Sequence, residues 1–266
     1  MKKFSTSFNS IALAMGFMAA STAFAAPATP VLPGAVKPVT VVLVHGAWAD
    51  GSSWSKVIPL LQSRGVNVVA VQLDLTTLKE DAAIVGRVVS ALSGKVVLVG
   101  HSYGGAVITQ AGADAKVAGL VYVAAFAPGS GESIADMTKP FPAPPWQAGL
   151  VPDSKGYLAL NQPTYLATFA PDLPRAEGMV FAATQRPIFN HALADKVDVA
   201  AWKTKPSRWV LSGADAMVPP PFQQAQAARI NAHVTSIAGA SHAVMLSHPG
   251  EVSAVIYAAV RDAGTL

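Results

Sequence analysis

The sequence predicts a protein of the α/β class, with a doubly wound, mainly parallel sheet of about six strands and an inserted helical cap. Short apolar runs alternate with helical patterns along the chain. The runs are nearly continuous, as strands buried on both faces require. One segment, about 128–205, breaks this alternation with many prolines and aromatic residues. We expect a single domain over residues 39–266, because 266 residues with 52% hydrophobic and 13% charged side chains suffice for one large core.

The first 25 residues have the composition of a signal peptide. Lys2 and Lys3 precede an uncharged, mostly apolar run at 11–20, and Ala23 and Ala25 supply a small-x-small cleavage site. An uncleaved membrane anchor is the alternative, but the apolar core is shorter than the roughly 20 residues of a membrane span. Residues 26–38 are rich in proline and alanine and are predicted to be a leader. We therefore expect a periplasmic or secreted protein without disulfides, since the sequence has no cysteine.

The charge of the chain gives no indication of a nucleic-acid or membrane partner. The formal net charge is +4, from 19 basic and 15 acidic residues. Removal of Lys2 and Lys3 leaves 17 basic residues and a charge of +2. The remaining Lys and Arg are scattered rather than clustered, which disfavours binding to polyanions or to an anionic lipid surface.

Alternating elements define the expected sheet. Strands are predicted at 39–44, 66–73, 96–99, 117–124, 208–211 and 234–237, and helices at 53–63, 78–92, 104–113, 221–230 and 249–259. This order implies right-handed crossovers between parallel strands. The segment 128–205 is interpreted as a cap over the sheet; the alternative is a peripheral helical excursion without a role in ligand binding.

Ser102 is the candidate nucleophile. It lies at the centre of the sequence Gly-His-Ser-Tyr-Gly at 100–104, directly after the strand at 96–99 and before a helix. A sharp strand-to-helix turn requires glycines where the two elements approach, and it presents the central serine at its tip. A glycine-rich turn with a capping serine is the structural alternative.

A serine hydroxyl requires a base, and the base requires an orienting group, so an acid and a histidine are expected downstream. Asp215 follows the strand at 208–211, and His242 follows the last strand. Both would face the same crevice as Ser102 at the carboxyl edge of the sheet. His248 is a less favoured base because it is further from a strand end. The alternatives for the acid are Asp74, Asp195 and Asp198.

The oxyanion of a tetrahedral intermediate requires two preorganised donors. The backbone N–H of Tyr103, at the helix start after Ser102, is one candidate. The other is the N–H of Ala47, in the loop after the first strand. A simple tight turn is the alternative interpretation of His45 and Gly46.

Several dispersed segments together carry a family resemblance: 42–48 (Val-Leu-Val-His-Gly-Ala-Trp), Trp54, 59–61, 99–105, 123–128, and the regions around Asp215 and His242. They resemble the α/β-hydrolase group that contains plant salicylate-type methylesterases and hydroxynitrile lyases. The resemblance implies a sheet without the usual N-terminal hairpin. The lyases place Thr where Gly46 stands and Lys where Ala243 stands, so cyanide chemistry is not expected. Dehalogenases use Asp at the position of Ser102.

We therefore expect an enzyme that hydrolyses small to medium carboxylic esters through an acyl-Ser102 intermediate, with no cofactor and no metal ion. Amide or lactone hydrolysis, or cofactor-free perhydrolysis, with the same triad is an alternative. A non-catalytic protein that binds a small ligand under the aromatic cap is another. The sequence leaves open whether the protein is a monomer or a dimer.

Overall fold

The computed structural model describes residues 39–265, so the predicted signal peptide and leader lie outside the described residues. Before the cap the elements are β1 (Thr40–Val44), α1 (Val57–Gln62), β2 (Asn67–Ala70), α2 (Leu78–Ala91), β3 (Val96–His101), α3 (Tyr103–Ala111) and β4 (Val117–Val123). The cap contains α4 (Ile134–Thr138), β5 (Leu150–Pro152), β6 (Tyr157–Leu160), α5 (Gln162–Thr164), α6 (Arg175–Thr184) and β7 (Ile188–Phe189). The chain ends with β8 (Ser207–Ser212), α7 (Pro220–Arg229), β9 (His233–Ile237), α8 (Val244–Ser247) and α9 (Pro249–Thr265).

A six-stranded sheet in the order β2-β1-β3-β4-β8-β9 forms the centre of the domain, and every neighbouring pair is parallel. This confirms the predicted fold class and strand number. The valine-rich strands β1, β3 and β4 are buried almost throughout, because helices cover both faces of the sheet. Between residues 39 and 265, no helix is long and apolar enough to cross a bilayer.

Two predicted elements are shorter than expected. The helix predicted at 53–63 is a 3₁₀ turn at Gly51–Trp54 followed by α1, because the Asp50 carboxylate accepts the N–H of Ser52 and starts a separate tight turn. The strand predicted at 66–73 ends at Ala70. Further along that segment, the N–H of Leu73 donates to the side chain of His45 instead of to a neighbouring strand.

The cap is not purely helical as predicted. Strands β5, β6 and β7 form a three-stranded antiparallel sheet. Gly156, with a φ of 87°, lies in the turn between β5 and β6, and the Asp153 carboxylate accepts two backbone N–H groups there. The strands have two to four residues each, too few to produce a visible alternation of apolar and polar residues.

Candidate active site

Ser102 lies in a strained turn between β3 and α3. Its φ of 52° and ψ of −122° fall outside the regions that L-residues normally adopt. The surrounding backbone holds it there: the Ser102 N–H donates to Val123 O at 3.1 Å, and its carbonyl accepts from Gly105 N at 2.9 Å. Such strain persists where neighbouring structure over-determines it, and it often marks a functional site.

The glycines of this turn are required because neighbouring backbone atoms leave no room for a side chain. A Cβ on Gly100 would lie 2.4 Å from the Gly104 carbonyl oxygen, and one on Gly104 would lie 2.6 Å from the carbonyl oxygens of Val44 and His45. These are backbone atoms, which cannot rotate out of the way. Strand β3, helix α3 and the loop after β1 can therefore meet behind Ser102 only because no side chain separates them.

His242 and Asp215 form a buried pair at the ends of the neighbouring strands β9 and β8. His242 Nδ1 lies 2.8 Å from Asp215 Oδ2, and both side chains are almost completely buried. Oδ1 of Asp215 accepts the N–H groups of Met217 and Val218, and Oδ2 also accepts from the side chain of Gln223 at 3.0 Å. With Asp215 as a carboxylate, Oδ2 accepts the Nδ1–H of His242, and Nε2 of His242 is left as an acceptor.

His101 connects this pair to the nucleophile turn. Its Nε2–H donates to the carbonyl oxygen of His242 at 2.9 Å, and the two rings have centroids 4.5 Å apart. Burial holds the pKa of His101 well below its ordinary value, so its ring is neutral. The residue before Ser102 thus fixes the backbone of His242, and the predicted nucleophile and base lie in one cluster.

The loop after β1 lies directly against the nucleophile. A Cβ on Gly46 would be 2.8 Å from Ser102 Cβ. His45 holds the loop from behind: its Nδ1–H donates to Gly46 O at 2.8 Å, and its Nε2 accepts from Leu73 N at 3.0 Å. Burial lowers the pKa of His45 to about 4, so this arrangement is neutral at physiological pH.

The two predicted oxyanion donors are available. Within residues 39–265, neither the N–H of Ala47 nor that of Tyr103 donates to a protein acceptor, and Tyr103 is the first residue of α3, where N–H groups have no partner inside the helix. The Tyr103 hydroxyl donates to the buried carboxylate of Asp81 at 2.8 Å, which anchors the residue from its other end.

The alternative acids and base have other partners. Asp195 accepts from His191 and from the N–H of Leu78, and Asp198 accepts from Gln110. Asp74 donates its backbone N–H to Asp81, and among residues 39–265 its carboxylate makes no hydrogen bond to His242. His248 bonds to the hydroxyl of Ser247. The carboxylate that contacts the His242 ring in the described part of the chain is that of Asp215.

Sequence reasoning missed three polar residues that shape the site. Gln223 donates to Asp215, and Asp81 accepts the hydroxyl of Tyr103. The carboxylate of Asp172 accepts the N–H of Ser241 at 2.9 Å. Gln223 and Asp81 lie in amphipathic helices, where one polar residue on the buried face does not disturb the pattern. Asp172 lies in the cap, 69 residues before its partner. No local signal in the sequence predicts these contacts.

Comparison with known proteins agrees with this architecture. Residues 41–255 match the model of the alpha/beta hydrolase family. Methylesterase 7 of Arabidopsis thaliana is 28% identical over 247 residues, covering 81% of this chain and 94% of that protein. Salicylic acid-binding protein 2 of Nicotiana tabacum is 38% identical over 104 residues, or 34% of this chain. A pyrethroid hydrolase of Sphingobium wenxiniae is 34% identical over 99 residues, or 32% of this chain. The matched segments span only 40% and 35% of the tobacco and Sphingobium proteins.

The crystal structure of polyneuridine aldehyde esterase superimposes with a TM-score of 0.74 at 23% identity, covering 84% of this chain and 99% of that one. At this identity the likeness concerns the fold. The match of the family model, however, extends from β1 into α9 and includes the segments that carry Ser102, Asp215 and His242. The chain belongs to the alpha/beta hydrolase family.

Proposed function

We propose that the protein is a serine hydrolase that cleaves small to medium carboxylic esters through an acyl intermediate on Ser102. The observation that carries this proposal is the buried His242–Asp215 pair, joined through His101 to the strained turn that presents Ser102. A pair of this kind prepares an imidazole to accept a proton, and a serine on a sharp strand-to-helix turn is an accessible nucleophile.

The reaction has two halves. Ser102 Oγ attacks the ester carbonyl carbon while its proton passes to Nε2 of His242, and the Asp215 carboxylate stabilises the imidazolium through Nδ1–H. The oxyanion accepts hydrogen bonds from the backbone N–H groups of Ala47 and Tyr103. Collapse of the intermediate breaks the bond to the alcohol, which leaves with the proton from His242. Water then attacks the acyl-Ser102 by the same proton transfers in reverse and releases the carboxylic acid.

Two observations support esters as the substrate class. One matched relative, covered over most of its length, is named a methylesterase. In addition, the oxyanion loop is followed by Trp48, whose ring packs edge-on against Trp146 of the cap with centroids 5.4 Å apart. Trp146 is only partly buried. An apolar, aromatic pair directly after the oxyanion loop suits the acyl or alcohol part of an ester.

The decisive experiment is labelling with a fluorophosphonate, which reacts with activated serines, followed by mass spectrometry of the modified peptide. We expect one adduct at Ser102, turnover of p-nitrophenyl esters that falls with longer acyl chains, and loss of at least about 10³-fold of that turnover in Ser102→Ala with the fold retained. Absence of the adduct, or unchanged turnover in Ser102→Ala, would refute the mechanism. Matched amide and lactone substrates then separate ester hydrolysis from the alternatives.

We also propose that the protein acts in the periplasm or the medium. The support for this is the sequence of residues 1–25, with its basic start, apolar core and small-x-small site.

A further inference from the structure

The loop that carries His242 is bonded to the cap on both sides of the histidine. Before it, Asp172 accepts both donors of Ser241: Oδ2 accepts the N–H at 2.9 Å, and Oδ1 accepts the hydroxyl. After it, the N–H of Ala243 donates to the carbonyl oxygen of Phe169 at 3.0 Å. Two acceptors from the cap therefore fix the backbone of the residues that flank the base.

Phe169 also contacts the imidazole itself. Its ring meets that of His242 edge-to-face, with centroids 4.9 Å apart and an interplanar angle of 84°. Phe169 ends a π-helical turn at Tyr165–Phe169, and its own ring is stacked on Tyr165. A π-turn is a rare feature that often occurs at functional sites. Here it directs one carbonyl oxygen and one aromatic ring at the same loop.

The contacts from the sheet side fix other atoms. Asp215 holds the His242 ring at Nδ1, and His101 holds the His242 carbonyl oxygen. The N–H groups of Ser241 and Ala243 are held from the cap. The sheet and the cap thus hold different atoms of the segment that carries the imidazole.

The cap holds the acid loop in the same way. The indole N–H of Trp146 donates to the carbonyl oxygen of Met217 at 3.1 Å, and the hydroxyl of Thr168 contacts Met217 Sδ at 3.3 Å. The N–H of Met217 is one of the donors to Asp215. Both members of the His242–Asp215 pair are therefore supported by cap residues.

We propose that Asp172 is a positioning residue for the reaction: through Ser241 it aligns His242, so that the cap is part of the proton-transfer apparatus and not only a wall of the pocket. The inference rests on the proposed function for its kinetic readout. It predicts that the base is aligned only while the cap is seated, and that substrate enters without the cap lifting away from the histidine loop.

The chain offers a matched control. Ser133 and Asp136 in the cap form a similar interaction, in which the N–H and the hydroxyl of the serine both donate to Oδ2 of the carboxylate, at 3.1 and 2.9 Å. That pair caps helix α4 and has no bond to the histidine loop. Asp136→Asn thus makes the same substitution at another serine–carboxylate pair of the cap without touching the loop of His242.

The test compares Asp172→Asn and Asp136→Asn in the full-length protein with a p-nitrophenyl ester. We expect Asp172→Asn to lower kcat by about 10- to 100-fold with KM changed less than about threefold, because a displacement of about 1 Å at a reacting group has effects of this size. We expect Asp136→Asn to leave both kcat and KM unchanged. Ser241→Ala removes the hydroxyl that donates to Asp172 and accepts from the N–H of Ala243, and it keeps the bond between Ser241 N–H and Asp172. It should lower kcat by a smaller factor, and it serves where Asp172→Asn folds poorly.

A spectroscopic readout separates this inference from the proposed function. The Nδ1–H proton of His242, assigned by its loss in His242→Ala, is expected to give a low-field proton NMR signal that shifts or broadens in Asp172→Asn and stays in place in Asp136→Asn. An unshifted signal together with an unchanged kcat in Asp172→Asn would overturn the inference. If the wild-type protein forms no adduct at Ser102 and hydrolyses no ester, the proposed function fails, while the NMR comparison still decides whether Asp172 positions His242.

Discussion

The buried carboxyl of Asp81 makes the stability of the protein depend on pH in a direction that is unusual for an aspartate. Its Oδ1 accepts the N–H groups of Asp74 and Leu75, both at 3.0 Å, and its Oδ2 accepts the Tyr103 hydroxyl. Burial is the largest influence, and it raises the pKa from the ordinary 3.8 to about 6, against the effect of these three hydrogen bonds.

The sign follows from proton binding. Between about pH 4 and about pH 6 the folded protein keeps a proton on Asp81 that the unfolded chain has lost. The contribution of Asp81 to the free energy of unfolding therefore decreases as the pH rises. At about 1.4 kcal/mol for each pKa unit, the rise from 3.8 to about 6 corresponds to about 3 kcal/mol. The side chain of Asp81→Asn cannot ionise. The free energy of unfolding of this variant, relative to that of the wild type, should therefore increase by about 3 kcal/mol as the pH rises from about 4 to about 7.

Urea unfolding followed by tryptophan fluorescence measures this difference, because contributions from all other groups cancel between the two proteins at each pH. Tyr103→Phe provides a second test. It removes a hydrogen bond that lowers the pKa of Asp81, so the loss of stability should extend to higher pH. A difference between wild type and Asp81→Asn that stays constant with pH would refute the reasoning, as would one that favours the wild type increasingly at higher pH.

Two further predictions concern the oxyanion loop and the N-terminus. In Gly46→Ala the new Cβ would lie 2.8 Å from Ser102 Cβ and 2.9 Å from the His101 carbonyl oxygen, so the loop must move; we expect kcat/KM to fall by about 100-fold. Gly86→Ala, in helix α2 with open space around the new Cβ, is the control and should keep activity while adding about 0.5–1 kcal/mol of stability. Intact-mass measurement of the exported protein should give Ala26 as its first residue, and a mass that includes the first 25 residues would contradict the predicted cleavage.

The sheet could be predicted from the sequence because its signals are local. Each parallel strand is a short, nearly continuous apolar run, and the alternation of these runs with helices predicted the parallel sheet of six strands that the structure contains. The strained turn at Ser102 was predictable for a similar reason, since the glycines that the turn needs are its neighbours in sequence. Asp215 and His242 could be selected because each follows a strand end, although their roles in catalysis stay predictions.

The parts that could not be predicted depend on contacts between distant residues. The cap strands are too short to show a period, and their pairing is visible only in the folded chain. Asp172 reaches Ser241 across 69 positions, and Gln223 reaches Asp215 from a helix of ordinary pattern. Such polar partners are selected by the geometry of packing, because a buried donor or acceptor must be satisfied by whichever group lies nearest in space.

The three histidines around Ser102 differ in the protons they can hold. Burial lowers the pKa of His45 to about 4 and that of His101 well below its ordinary value, so both rings stay neutral near neutral pH. Their hydrogen bonds also fix the tautomers: His45 donates from Nδ1 to a carbonyl oxygen, and His101 donates from Nε2. His242 alone of the three faces a carboxylate, that of Asp215. In the proposed mechanism, His242 is therefore the one imidazole of the three whose positive charge a hydrogen-bonded carboxylate balances when it accepts the proton of Ser102. The other two rings are buried, and each donates its hydrogen bond to a backbone carbonyl group instead of a carboxylate.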